Sequence, residues 1–169
     1  FLNTYKKQGG SIVNGQGDWD VLIIRYDSNG TQLWTYHAGG LEDDRLQSLS
    51  VNAKGQVQFG GRHFDDMKFD STTLLKNTTT NKFDAFIAQV ANDSDFQWAI
   101  SFGGADNDTA GALLSMPDGS IIAGGDFSGT VWFGSTPRTA TDQDIFVWKF
   151  EHDKDNDGIT DYSDNCLNT

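Results

Sequence analysis

The residues with the clearest potential for chemistry form an acidic segment near the end of the chain, DKDNDGITDYSDNC. Asp153, Asp155 and Asp157 alternate, so that a tightly curled loop can direct three carboxylates inward. Gly158 follows them, and glycine permits the sharp turn that such a loop needs. Calcium takes 6–8 oxygen ligands at about 2.3–2.6 Å. The spacing therefore predicts a calcium-binding loop.

Further along the segment, other oxygen donors complete the predicted site. Asp161 and Asp164 occupy places nine and twelve counted from Asp153, which is the spacing of an EF-hand loop with Asp in place of the usual final Glu. No flanking helices are evident. The predicted calcium ligands are Asp153, Asp155, Asp157, the main-chain carbonyl of Ile159, Asp161 and Asp164. The alternative is a disordered acidic linker without fixed metal. Because clustered carboxylates repel one another, we expect the loop to become ordered only with calcium.

The composition of the chain argues against some classes of function and partner. A net charge of −12 over 169 residues argues against a nucleic-acid partner, which would require clustered Lys and Arg. No apolar run approaches the roughly 18 residues of a membrane helix, so we expect no membrane insertion. The chain does not begin with Met, which is typical of a processed or partial chain. An exported protein remains compatible with these features.

The elements that must position the acidic segment are internal repeats. Asp20, Asp84 and Asp144 recur 64 and then 60 residues apart, each before an apolar run. Trp34 recurs as Trp98, and further pairs match at the same spacing: Gly39-Gly40 with Gly103-Gly104, Asp44 with Asp108, and Gly60-Gly61 with Gly124-Gly125. Agreement at so many places indicates one repeated structural unit.

One complete unit spans residues 41–104 and reads as four strands. Their predicted bounds are 45–51, 56–62, 84–90 and 97–102, with a short extra strand at MKF and a counterpart at VWF in the next unit. The third strands VLIIRY, AFIAQV and IFVWKF are apolar at nearly every place. A strand that is apolar on both faces is covered on both sides. This favours an all-β fold of β-propeller-type blades with four antiparallel strands, and a β-sandwich is the alternative.

The predicted organisation is a partial propeller region over residues 1–150, followed by the calcium loop at 151–169. The region divides into a partial blade at 1–40, a full blade at 41–104 and an incomplete blade at 105–150, whose fourth strand is missing. About two and a half blades cannot close a ring that typically needs 4–8. We therefore expect further repeats of the same protein, or other chains, to complete it.

The repeats resemble the bacterial β-propeller repeat family often called SBBP. The resemblance covers about residues 10–150 and depends on GSIIAGGDFSGTVWFG from Gly119, DIFVWKF from Asp144 and WAISFGG from Trp98. The family implies exported or surface proteins, often joined to other extracellular modules. It implies no common catalytic residues.

The acidic segment is similar to the thrombospondin type-3 repeat, whose pattern is D-x-D-x-D-G-x-x-D-x-x-D-N-C. Asp153 to Cys166 fill every place of this pattern. The family implies calcium binding and disulfide pairing between successive repeats. Only one such repeat is present, so a partner for Cys166 would lie elsewhere.

Other recurrent residues are predicted to serve structure. We expect Trp34 and Trp98 in the blade core, and the aspartates Asp20, Asp84, Asp144, Asp44 and Asp108 as caps of turns and loops. The paired glycines are expected to make tight turns or to let neighbouring blades approach closely. The three histidines do not recur, and we expect them on the surface.

Three functional hypotheses follow from the sequence. The first is a non-catalytic extracellular or cell-surface scaffold or adhesion module with a calcium-stabilised connector, whose partner is a protein or a glycan on a surface. The second is a subunit of a surface assembly or filament joined through open strand edges. The third is an enzyme with its site at a propeller mouth. The sequence disfavours the enzyme, because no polar residue breaks the repeat in a catalytic arrangement.

Overall fold

The computed structural model describes residues 1, 4–77 and 81–151, and every regular element in these residues is a β-strand. The all-β prediction is confirmed, and the described part of the chain contains no helix that could cross a membrane. The strands are β1 Thr4–Lys6, β2 Ile12–Asn14, β3 Val21–Tyr26, β4 Gln32–Ala38, β5 Asp44–Val51, β6 Val57–His63, β7 Met67–Lys68, β8 Leu74–Leu75, β9 Asp84–Val90, β10 Phe96–Phe102, β11 Thr109–Ser115, β12 Ile121–Phe133 and β13 Thr136–Phe150.

The complete unit forms a four-stranded antiparallel sheet in the order β10-β9-β6-β5. Its bounds agree with the predicted strands to within one residue at each end. The turn between β5 and β6 is made by Asn52, whose side-chain Oδ1 accepts hydrogen bonds from the main-chain N–H groups of Lys54 and Gln56. Gly55 has a φ of +77° in this turn, a conformation that favours glycine.

The units on either side are incomplete. The first forms a two-stranded sheet of β3 and β4, and the last a three-stranded sheet in the order β11-β12-β13. The hairpin of β1 and β2 was not predicted, because its strands have only three residues each. The VWF segment is not a separate strand but the end of β12. A bulge at Gly129, where φ is +68°, lets β12 run on through 13 residues.

The core consists of two apolar layers that meet at β9, which is buried at all seven of its positions. Phe86, Ala88 and Val90 pack into one layer, against the first unit. Ala85 and Ile87 point the opposite way into the second layer, against the last unit. Each contact between two sheets is sandwich-like, and the middle sheet takes part in two of them. Its third strand is therefore covered on both faces, as the sequence predicts.

The third strands of the outer units are covered on one face. Val21 and Ile23 of β3 are buried against the middle sheet, whereas Leu22 and Ile24 are only half-buried. Ile145 and Val147 of β13 are 86% and 79% exposed. Within the described residues, the prediction of two covered faces is thus wrong for β13, and the second face of β3 is only partly covered.

The paired glycines let main chains approach closely. A Cβ on Gly61 would lie 1.9 Å from the carbonyl oxygen of Arg45, and one on Gly125 would lie 1.8 Å from that of Thr109. Both glycines face a bulge in the neighbouring first strand, where the pairing shifts by one residue. The close approach at these two glycines is between strands of one sheet rather than between neighbouring blades, and the same bulge requires it in both units.

Replacing Gly61 by Ala is expected to destabilise the chain by about 2–3 kcal/mol, because the main chain must move to admit the Cβ. Gly111→Ala is the matched control in the first strand of the last unit, since the nearest atom to its Cβ is 3.5 Å away. Urea denaturation measures both free energies of unfolding. Equal effects of the two substitutions would contradict the close-approach argument.

Candidate functional site

The six predicted calcium ligands, Asp153, Asp155, Asp157, Ile159, Asp161 and Asp164, lie outside the described residues. The calcium site therefore stays a prediction. Within residues 4–77 and 81–151, no three or more His, Cys, Asp or Glu side chains are grouped as they would be around a metal ion. The polar sites that the structure describes are the recurrent carboxylates and one buried histidine.

Each Gly-Gly pair is followed by a loop that one recurrent carboxylate caps. Oδ2 of Asp44 accepts a hydrogen bond from the main-chain N–H of Gly40 at 2.5 Å. Oδ2 of Asp108 accepts one from Gly104 at 2.7 Å, and its Oδ1 accepts another from Ser128 at 2.9 Å. The predicted capping role of Asp44 and Asp108 is confirmed.

The carboxylates before the third strands lie against the first glycine of each pair. A Cβ on Gly39 would be 1.9 Å from Oδ1 of Asp20, and one on Gly103 would be 2.3 Å from Oδ1 of Asp84. Oδ2 of Asp20 also accepts a hydrogen bond from the main-chain N–H of Gln16 at 2.8 Å, which confirms a capping role there. Each glycine pair thus leaves room for two carboxylates, one from its own repeat and one from the repeat that follows.

Asp144 departs from this pattern. It lies inside the long strand β13, opposite Phe127, and its side chain is exposed. The prediction of a turn cap is therefore wrong for Asp144, because the last unit continues β13 through the place where the other units turn.

Burial changes the acidity of the capping carboxyls. Asp44 is 2% exposed, and desolvation raises its pKa to about 8, with further increases from the negative charges of Asp20, Asp43 and Asp65. Burial likewise raises the pKa of Asp108 to about 6. The hydrogen bonds from Gly40 and Gly104 oppose both shifts, because they stabilise the ionised carboxylate.

His63 is fully buried, so the prediction of a surface histidine is wrong for this residue. Its Nδ1 lies 2.7 Å from the carbonyl oxygen of Asp65, and its Nε2 lies 2.7 Å from Oγ of Ser101. Since a carbonyl only accepts, Nδ1 carries the proton and Nε2 accepts from the serine hydroxyl. Burial lowers the pKa of His63, which favours this neutral form. His37 is half-buried, and His152 lies outside the described residues.

The Ser101–His63 pair has the spacing of a catalytic nucleophile and its base. However, the imidazole has no exposed surface and joins β10 to β6 across β9, on the same face as Phe86, whose ring centroid lies 6.3 Å away. The pair is therefore a structural hydrogen bond between two strands of the sheet. This pair could not be predicted from the repeat, because Phe127 occupies the position of His63 in the last unit and His37 that of Ser101 in the first.

The recurrent tryptophans belong to the core, as predicted. Trp98 is buried and meets the ring of Phe150 edge-on at 5.5 Å between centroids. Trp34 is half-buried against the first apolar layer, and its Nε1 donates a hydrogen bond to the carbonyl oxygen of Asn92 at 2.7 Å.

These contacts define an all-β repeat protein whose recurrent polar residues cap its loops. No protein-family profile matches the chain. The chain is similar to the regulatory protein FlaEY of Caulobacter vibrioides, with 27% identity over 173 residues. The similarity covers 90% of this chain but 18% of that protein, so the chain spans less than a fifth of the relative's length.

Replacing Asp44 by Asn mimics the protonated carboxyl and keeps an acceptor for Gly40. The raised pKa means that the folded chain binds more protons than the unfolded chain between about pH 4 and pH 8, so this group's contribution to stability falls as pH rises. We expect the difference in free energy of unfolding, variant minus wild type, to rise by roughly 2 kcal/mol between pH 5 and pH 8.

Urea denaturation across this pH range measures the difference between variant and wild type. The pKa values of His63 and His37 are lowered, so their contribution to the free energy of unfolding changes in the opposite direction and is lost as pH falls. Both histidines are present in the variant and in the wild type, so these contributions cancel in the comparison. Asp142→Asn, at an exposed carboxylate, is the control, and it separates the effect of Asp44 from that of removing any one negative charge. A pH-independent difference for Asp44→Asn would contradict the assigned ionisation.

Proposed function

We propose that this chain is a non-catalytic scaffold or adhesion module of the cell surface or extracellular space, with a calcium-stabilised connector at residues 151–169. The observation that carries the proposal is the structural role of the buried polar side chains, namely two recurrent carboxylates and one histidine that does not recur. Asp44, Asp108 and His63 are buried, and each one binds main-chain or side-chain groups of its own fold.

The structural role of these three side chains argues against catalysis by them. A general acid or base must come within hydrogen-bond reach of a substrate proton, directly or through one water. Asp108 and His63 have no exposed surface. Asp44 lines an open groove of about 460 Å³ with Asp20 and Arg45, but it is only 2% exposed and its Oδ2 already accepts the hydrogen bond from Gly40. Their displaced pKa values follow from burial in a structural role.

The predicted calcium segment suits a connector because of its place in the sequence. Asp153 follows the end of β13 at Phe150 by three residues. Calcium bound by Asp153, Asp155, Asp157, Ile159, Asp161 and Asp164 would neutralise the repulsion among these carboxylates and fix the direction of the segment relative to the last sheet. The acidic composition and the two family resemblances support export to a calcium-rich environment.

A second candidate function is a subunit of a surface assembly joined through open strand edges. It is favoured by β13, which pairs with β12 on one side and with no described strand on the other. The FlaEY relative is named a regulatory protein, and the small share of it that matches suits one module of a larger protein. A module of this kind would act by contact with a protein or glycan partner.

Calorimetric titration with calcium tests the connector. We expect saturable binding with a Kd at or below the millimolar range, and its loss in the double variant Asp155→Asn/Asp157→Asn, which removes two of the predicted ligand charges. Asp93→Asn/Asp95→Asn, two acidic residues of the turn after β9, is the matched control and should bind as the wild type does. Absence of binding at millimolar calcium, or equal binding by both variants, would refute the connector.

A further inference from the structure

One edge of β13 lacks the partner that its equivalents have. In the sheet order β11-β12-β13, this strand pairs with β12, and no strand among the described residues pairs with its other edge. The third strands of the other two units, β3 and β9, carry a fourth strand at that edge, namely β4 and β10. The chain itself therefore shows what occupies this edge in a complete unit.

The repeat fixes the register that an added strand would take. Residues 85–90 of β9 correspond to 145–150 of β13. On β9, Phe102 lies opposite Ala85, Ile100 opposite Ile87 and Trp98 opposite Gln89. The same places on β13 hold Ile145, Val147 and Lys149.

The side chains along this edge suit an apolar strand. Ile145 and Val147 are largely exposed, whereas their counterparts Ala85 and Ile87 are fully buried beside β10 and under the last sheet. An open groove of about 430 Å³ is lined by residues 145–148 of β13 and by Phe127, Phe133, Thr136 and Arg138 of the β12–β13 hairpin. Because neighbouring residues of a strand point to opposite faces, a groove that touches residues 145–148 includes this part of the strand edge.

The tryptophan of an added strand would also find a suitable neighbour. Trp34 of β4 lies opposite Arg25, and the equivalent place on β13 is Lys149. A Lys or Arg stem packs well against a tryptophan ring, and its charge is attracted to the ring face. Lys149 lies 3.2 Å from Asp118 and 2.9 Å from Glu151 through its Nζ, and this places its charged group at the end of the apolar stretch.

We propose that the free edge of β13 binds an extended segment of the fourth-strand type, supplied by another unit of this repeat. The segment has the pattern shared by β4 and β10, a tryptophan followed four residues later by an apolar residue and then Gly-Gly. Main-chain hydrogen bonds to β13 supply affinity, and alternate side chains over Ile145 and Val147 supply specificity. This inference rests on the assembly candidate above and names its partner.

A peptide with the sequence of β10, DSDFQWAISFGG (residues 93–104), is the probe. Labelled with a fluorophore and titrated with the intact chain, it should bind saturably with a Kd of about 1–100 μM, a range typical of a single short added strand with few anchoring side chains. Hydrogen exchange should show new protection of the amides of residues 144–150. A peptide with alanine in place of Trp98 should bind at least about tenfold more weakly.

Variants of the chain locate the binding. Ile145→Lys/Val147→Lys should weaken peptide binding at least about tenfold, because it charges the apolar surface under the added strand. Leu49→Lys/Val51→Lys changes an apolar pair on another edge strand, β5, where the two side chains are 45% and 55% exposed, and should leave binding unchanged. Absence of peptide binding, equal binding by both double variants, or protection away from residues 144–150 would overturn the proposal.

Two further outcomes separate this inference from the proposals on which it stands. Protection of residues 144–150 that rises with chain concentration and without peptide would show β13 pairing with a second β13, which would also overturn the fourth-strand assignment. Calcium binding is measured independently of this edge. A chain that binds calcium but not the peptide would retain the scaffold function and lose the assembly candidate.

Discussion

The structure depends on the burial of β9 between two other sheets. Its side chains alternate between two apolar layers, so that the middle sheet joins the first unit to the last. Burial of apolar surface contributes about 25 cal/mol per Å², and a strand covered on both faces gains from both layers. A single four-stranded sheet with one bare face would lack this support. The repeat is thus a way of stacking sheets, each of which completes the core of its neighbour.

Close stacking constrains the polar residues of each unit. Backbone groups that lose water must find partners, and the carboxylates of Asp44 and Asp108 supply them to the loops after the paired glycines. The glycines in turn are required because a Cβ would collide with the carboxylate of Asp20 or Asp84, or with a facing carbonyl. The carboxylates and the paired glycines therefore recur together, and this contact is the structural reason for their equal spacing in successive repeats. The same burial raises the pKa of Asp44, which would otherwise suggest a catalytic acid.

Much of the fold could be predicted from the sequence, because the repeat shows each feature more than once. The four strands of the complete unit and the roles of the tryptophans and paired glycines were evident from their spacing. Features that occur once were not predicted. One is the bulge at Gly129, which extends the β12–β13 hairpin, and the other is the contact between His63 and Ser101, two residues that are distant in sequence. The apolar pattern of β13 matched that of β9, yet one face is bare, since coverage depends on neighbours and not on the strand itself. The predicted calcium ligands lie outside the described residues, so their prediction depends on spacing alone.

Native-state hydrogen exchange tests the stacking account most directly. If stability comes from the two-sided burial of the middle sheet, the amides of β9 and β6 should exchange only through global unfolding, with the largest free energies of opening in the chain. Amides of β3 and of residues 144–150 in β13, whose sheets are covered on one face, should exchange through smaller local openings. Exchange of β9 at free energies equal to those of β13 would contradict the account, because the middle sheet would then gain nothing from its second neighbour.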